Sequence, residues 1–244
     1  MGTSLKSIIY DLWESIRANI SDDDVLDYRN FVYWINNQRA LWLRNELNKG
    51  HSIDPNIIQD LGAVPLEIDD SIASNEFIQD KKILRTVNKI PVTIERHDKP
   101  TITRIGSLNY RERGYSIVDY FTVPYIGSGK FNKNQIYAFL RDGYVYLVSD
   151  CNNPKWKTMK YINIQGVFED PTEVAAFNTS DGIACYDDDS AYPINKWMIP
   201  YLKDAILKAD LRQFIRPIDD EKNDANSNLT QFVTNKDNND KREE

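Results

Sequence analysis

Residues 136–148 read Ile136-Tyr137-Ala138-Phe139-Leu140-Arg141-Asp142-Gly143-Tyr144-Val145-Tyr146-Leu147-Val148. Two runs of β-branched and aromatic residues flank Asp142-Gly143, the pair that a tight primed turn demands, so this stretch predicts a β-hairpin. Shorter alternating runs lie on either side. Val64-Pro65-Leu66-Glu67-Ile68, Ile90-Pro91-Val92-Thr93-Ile94 and Thr101-Ile102-Thr103-Arg104-Ile105 read as short strands, with Pro65 and Pro91 suited to edges or strand starts. Lys160 to Phe168 reads as one more, Tyr161, Asn163 and Gln165 alternating against Ile162, Ile164 and Gly166. The expectation between Ala63 and Phe168 is a small antiparallel β domain.

Helical periodicity surrounds it. Leu5, Ile8, Ile9, Leu12, Ile16 and Ile20 recur at three- and four-residue spacing behind Ser4, a suitable N-cap. Ser21-Asp22-Asp23-Asp24 reads as a capping cluster; calcium binding would need spaced oxygen ligands and a turn glycine, which this cluster lacks. A second helix is predicted from about Asp24 to Lys49, stopped by Gly50. Tyr28, Phe31, Val32, Ile35, Leu43 and Leu47 form its main stripe, whereas Tyr33, Trp34 and Leu41 fall on other faces. Arg29, Arg39 and Arg44 stand among these aromatics, a mixture favoured at interface hot spots. A well-packed core helix with flanking charges is the competing reading. Asp170 and Pro171 open a short helix, a polar loop runs through Asp187-Asp188-Asp189, and a third helix is expected from Pro200 to Ile215, with Trp197 and Met198 packing just before it.

The fold class expected is therefore α+β. A helical bundle formed by N-terminal and C-terminal helices carries the inserted β domain, followed by a disordered C-terminal tail. The divisions are 1–62 helical, 63–168 β, 169–216 helical and packing back on the first, and 217–244 flexible, because Ile218, Leu229, Phe232 and Val233 are the sizeable apolar residues there amid Asp, Asn, Lys and Glu; the alternative is an arm that orders against a neighbour on assembly.

Composition excludes several classes. The 244 residues are 41% hydrophobic and 27% charged, enough apolar content to fold without disulfide staples. Cys151 and Cys185 make no disulfide framework, and Asp11 and Glu14 interrupt the opening apolar pattern, so neither a signal peptide nor a membrane span is expected. The net charge of −7 disfavours nonspecific nucleic-acid binding by the whole chain. One block runs against it: from Lys81 to Arg113 nine Lys or Arg face three acids. That block reads as a solvated strand surface or, with Tyr110, Tyr115 and Tyr120, as a nucleic-acid-binding module.

Catalytic signatures are scarce. His51 and His97 lie in polar, turn-like settings without Cys or carboxylates at metal-ligand spacing. Gly127-Ser128-Gly129-Lys130 resembles the end of a phosphate loop, but Pro124 stands where the first glycine belongs and Phe131 replaces the hydroxyl that would hold magnesium, so a turn is expected. GxSxG, HExxH and GxGxxG are absent from the sequence. No catalytic, cofactor or metal residue is assigned; a hydrolase using paired acids is the remaining enzymatic alternative.

Several strings together resemble a known family. Ile9-Tyr10-Asp11-Leu12, Arg29-Asn30-Phe31, Trp34-Ile35-Asn36-Asn37-Gln38-Arg39-Ala40 and Ile58 to Leu66 are similar to structural proteins of tailed bacteriophages. Ile83-Leu84-Arg85-Thr86, Lys89-Ile90-Pro91, Thr101 to Gly106 and Lys160 to Pro171 point to the crAss-like phages of gut Bacteroidales, and within them to head-to-tail ring proteins that act as adaptors beneath the portal. The similarity runs to about Asn226.

The resemblance implies a non-enzymatic virion component of the tail or neck, made in the bacterial host cytoplasm, without a cofactor. It implies a ring of about twelve copies, with portal protein and the next tail ring or tail hub as partners. Genomic DNA would be passing cargo only, and no membrane is involved. The residues expected at subunit or partner contacts are Tyr33, Trp34, Arg39, Leu41, Trp42, Arg44, Trp197, Ile218, Leu229 and Phe232. Acids should dominate any surface facing the DNA, and the 81–113 block should point away from the channel or pair with acids.

Overall fold

The structure is a computed structural model that describes residues 3–17, 26–69, 83–97, 99–126, 135–149, 158–177 and 187–211. The hairpin forms where the Asp-Gly pair places it. Strands β7 (Tyr137–Arg141) and β8 (Tyr144–Val148) pair antiparallel, with Arg141 opposite Tyr144. Asp142 and Gly143 both take positive φ, 52° and 82°, as a type I′ turn requires.

Around this hairpin the sheet is far larger than the sequence led us to expect. Seven strands lie in the order β5-β9-β1-β2-β8-β7-β6, the others being β1 (Gln59–Ile68), β2 (Ile83–Thr86), β5 (Ile102–Gly106), β6 (Ser116–Ile117) and β9 (Tyr161–Gly166). A separate two-stranded ribbon joins β3 (Glu95–Arg96) to β4 (Lys99–Pro100). Strand β1 is the tie. Its residues Gln59 to Pro65 pair with β9 and its last three residues with β2, so two half-sheets become one. A bulge between Asp60 and Ala63 bends it, with Gly62 at φ 66°; such an extra residue raises local twist. The ends of the sheet approach each other: Lys99, beside β5, lies 3.8 Å from Asp119, beside β6. The sheet is curled and nearly barrel-like.

The expected fold class is thereby corrected. This is a predominantly β protein with a helical layer, not a helical bundle carrying a small β insert. The physical reason lies in the hairpin residues themselves, because both faces are covered. Ala138, Val145 and Leu147 pack with Ile162 and Ile164 on one side, whereas Phe139, Tyr146 and Val148 pack with Ile83, Val123 and Ile126 on the other. A sheet buried on both faces is a core in its own right. The β region is also not wholly antiparallel, since β6 runs parallel to β7. Ile90–Ile94 forms no strand; only Thr93 bridges to Phe168, while the Ile90 N–H donates to the Gly143 carbonyl.

The helices do form near their expected places. Helix α1 (Leu5–Ile16) is capped by Ser4, whose hydroxyl accepts from the Ser7 N–H, and buries Leu5, Ile8, Ile9, Leu12 and Ile16. Helix α2 (Tyr28–Asn48) starts later than expected, behind Asp27, and is followed by Gly50 at φ 85°. Helix α3 (Pro171–Phe177) has Asp170 Oδ1 accepting from the Thr172 N–H at 2.7 Å. Helix α4 (Ile199–Ala209) ends before the expected Ile215. Phe31, Ile35, Leu43 and Leu47 of α2 share one apolar cluster with α1, with Leu202 and Ile206 of α4, and with Ile94 and Val167 beside the sheet. No helix among the described residues is long and apolar enough to cross a membrane. Cys151, Cys185, the Ser21–Asp24 cluster, Gly127–Lys130 and the segment from 217 onward lie outside the described residues.

The left-handed backbone at Gly143 yields a direct test. Gly143→Ala introduces no clash, since a Cβ there meets only Lys89 at 3.5 Å, but forces an L side chain into φ 82°. Chemical denaturation should show a loss of about 1 kcal/mol; an unchanged midpoint would contradict the turn geometry.

Candidate subunit interface

Helix α2 displays the residues of interest, so what fixes α2 comes first. Its side chain Arg39 is 1% exposed. The guanidinium donates from Nε to the Pro193 carbonyl at 2.8 Å and from Nη1 to the carbonyls of Phe168 at 2.9 Å and Glu169 at 3.3 Å. It also lies 5.7 Å from the centre of the Tyr192 ring. One turn away, Asn36 donates to Asp170 Oδ1 at 2.9 Å and accepts from the Tyr192 hydroxyl at 2.7 Å. These bonds join α2 to the end of β9, the start of α3 and the 192–193 segment. Arg39 is accordingly a structural residue turned inward, and its side chain is not offered to a partner.

The opposite side of α2 is open. Tyr33 is 67% and Leu41 49% exposed, and their separation of eight residues places them on one stripe with Asn37 between. Trp34 and Trp42 are half-buried on the flanks of that stripe. Trp34 packs edge-on to Phe31 at 5.6 Å, and Trp42 edge-on to Trp197 at 5.2 Å. Trp197 then meets Tyr201 of α4 at 6.5 Å, and these two are 57% and 62% exposed. An aromatic ladder therefore runs from α2 to α4 at the surface. Arg44 ion-pairs with Glu95 at 3.1 Å, both partly exposed, a contact of little energy. The sequence did not single out Tyr10, Tyr201, Phe121 and Tyr125, all strongly exposed. Phe121 and Tyr125 had a legible signal in their i, i+4 spacing beside Pro124. Ile218, Leu229 and Phe232 lie outside the described residues.

The basic block is dispersed over several local partners. Arg85 pairs with Glu67 at 2.7 Å and Asp69 at 3.8 Å, and Lys99 with Asp119. Arg104 donates to Asn163 Oδ1 at 3.0 Å and to the Ser107 carbonyl, with its guanidinium 4.8 Å from the Tyr110 ring centre. The three tyrosines of the nucleic-acid reading are engaged by the protein itself. Tyr110 donates to Asp60 at 2.6 Å, Tyr115 is half-buried with its hydroxyl pushed up to about 12 by burial, and Tyr120 packs against Phe139. They do not form one stacking platform.

Asp60, at the bulge of β1, collects four donors: Tyr110 Oη, Gln165 Nε2, the Gly62 N–H and Asn163 Nδ2. Burial pushes its carboxyl upward, but these four hydrogen bonds together outweigh burial and hold it below the ordinary aspartate range. The network clasps the 107–114 loop to the sheet. His51 faces Glu46 at 2.7 Å and the His97 N–H donates to Asn48. Among the described residues no group of three or more His, Cys, Asp or Glu is placed to hold a metal ion.

Two outcomes follow from the buried and clasped groups. Arg39→Ala leaves three carbonyls without their donor and should lower stability by about 3 kcal/mol, a Tm drop of roughly 6–12 °C; scanning calorimetry showing less than 1 °C would contradict the junction. The lowered Asp60 carboxyl contributes stability that is present above the ordinary aspartate pKa and lost as pH falls through its folded value. Asp60→Asn should flatten that acid-side slope in pH-dependent unfolding, and an unchanged slope would show that the clasp does not depend on this charge.

A family model described as phage tail ring protein 2 of the crAss-like group matches residues 7–241, extending past the Asn226 limit of the similarity read from the sequence. The chain is also similar to a curated relative, "Ring protein 2" of Bacteroides phage crAss001. It is 24% identical over 226 residues, which cover 91% of this chain and 96% of the relative. With nearly the whole chain matched, the protein belongs to the crAss-like phage tail ring protein 2 family and is a structural component of the virion tail.

Proposed function

We propose that this protein is the repeating subunit of an adaptor ring of about twelve copies that joins the portal to the tail and encloses part of the DNA ejection channel. The observation that carries the reading is the exposed aromatic surface on a rigid frame: Tyr33 and Leu41 on α2, and Trp197 and Tyr201 beside it. Large aromatic groups left in water are costly unless a partner covers them, and clustered patches of this kind mark interaction surfaces. Membership in a ring protein family supplies the partner, further copies of the same chain. The portal and the next tail ring or hub are proposed for the remaining apolar surfaces, including Phe121 and Tyr125.

The DNA role in this reading is passive. The chain carries a net charge of −7, and three of its cations in the 81–113 block already face carboxylates or carbonyls of the same chain. A channel wall that attracted phosphates strongly would retard transit. The nucleic-acid-binding alternative would need an uncommitted basic and aromatic platform, and Tyr110, Tyr115 and Tyr120 support it poorly because each is held by its own neighbours. We assign no catalytic step.

Trp34 and Trp42 support the apolar cluster beneath them, so truncating them would mix folding with assembly. The exposed pair separates the two. Tyr33→Glu with Leu41→Glu should leave the circular dichroism spectrum and Tm within about 2 °C of the parent, because neither side chain is buried. Mass photometry and negative-stain imaging should show rings reduced at least tenfold. Rings assembling as in the parent would remove α2 from the interface.

A further inference from the structure

The curled sheet closes only in part, where the Tyr115 N–H donates to the Ile105 carbonyl at 2.6 Å. Its end strands are β5 and β6, and between them lies a cavity of about 660 Å³ lined by Ile102, Ile117, Tyr120, Tyr125, Tyr137 and Leu140. The floor is apolar and aromatic, and the rim carries the Lys99–Asp119 pair. Ile117 is 43% and Tyr125 79% exposed. Away from the Ile105–Tyr115 bond, the end strands present backbone N–H and C=O groups on their outer sides, a template for one more strand. A groove that offers both a strand edge and alternating apolar pockets is what strand addition uses.

The same chain contains a segment suited to fill it. In the stretch after Pro217, three of the four sizeable apolar residues fall within Leu229-Thr230-Gln231-Phe232-Val233-Thr234. Thr, Phe and Val are strand-favouring residues, and asparagines flank the run at Asn228 and Asn235. In extended form Leu229, Gln231 and Val233 would share one face, with Phe232 on the other. The family match runs to residue 241 and so spans this segment. From Leu211, where α4 has just ended, to Asn228 the chain can span at most about 60 Å. That is well beyond the roughly 17 Å radius of gyration of a body this size, enough to cross to an adjoining copy.

We propose that residues 228–234 of one subunit add as a strand to the β5–β6 seam of the neighbouring subunit, closing its sheet and linking the ring head to tail. The proposal rests on the ring reading above. A donated strand joins two different surfaces of identical chains, which is the heterologous contact that generates a closed ring. It also covers a sheet edge that would otherwise be open to nonspecific pairing.

The test uses the full chain. In a Cys151→Ser, Cys185→Ser background, Thr122→Cys beside the seam and Thr230→Cys in the segment are oxidised together. The expected result is a ladder of covalent dimers, trimers and higher species on non-reducing gels, with each single-cysteine chain giving nothing above a dimer. A link formed only within one chain, or no link, overturns the proposal. In parallel, Leu229→Asp with Phe232→Asp should cut ring yield at least tenfold while circular dichroism stays as in the parent. If the parent forms rings and this variant forms them equally well, strand donation fails and the ring reading survives. If the parent forms no rings under any condition, both fail.

Discussion

The guanidinium of Arg39, buried and bonded to the carbonyls of Phe168, Glu169 and Pro193, is the constraint on which the layout rests. An arginine can be this deeply placed only if its donors meet acceptors, and here the three acceptors come from two separate pieces of chain, 168–169 and 193. Asn36, Tyr192 and Asp170 extend the same junction. Because the bonds run from α2 to the end of β9 and to the segment before α4, the helical layer and the sheet cannot shift independently without breaking them. The stripe bearing Tyr33 and Leu41 is on the far side of the same helix, so the junction sets the position of the exposed surface.

This arrangement suits a structural component of a virion. A ring subunit needs surfaces held at a constant angle, since a small error per subunit accumulates around the circle. Buried hydrogen bonds specify geometry more sharply than apolar packing alone. The Asp60 clasp does a similar job at the bulge of β1, fastening the 107–114 loop to the sheet through Tyr110, Asn163 and Gln165. In both places, buried polar groups satisfy one another.

Local features were legible in the sequence. Asp142-Gly143 announced its turn, Ser4 its cap and Gly50 the end of α2, because each depends on backbone preference within a few residues. The size of the sheet was not legible. Strand β2 is four residues long and β6 two, too short for alternation to show, and the partner change along β1 is a long-range property. The two-sided burial of Val145, Tyr146, Leu147 and Val148 also hid the extent of the core, since a continuous apolar run does not declare how many layers cover it. Arg39 was read as a contact residue from its aromatic company; the carbonyls that bury it come from positions about 130 to 150 residues away. By contrast, the strings Trp34–Ala40 and Lys160–Pro171, which carried the family resemblance, meet in space at that junction.

Side-chain-resolution cryo-electron microscopy of the assembled tail tests the ring account most directly. It should show one closed ring of this chain, with Tyr33, Leu41 and Trp197 covered by neighbouring protein and no broad basic surface lining the bore. A particle lacking the chain, or one in which these side chains face open solvent around an isolated monomer, would contradict it.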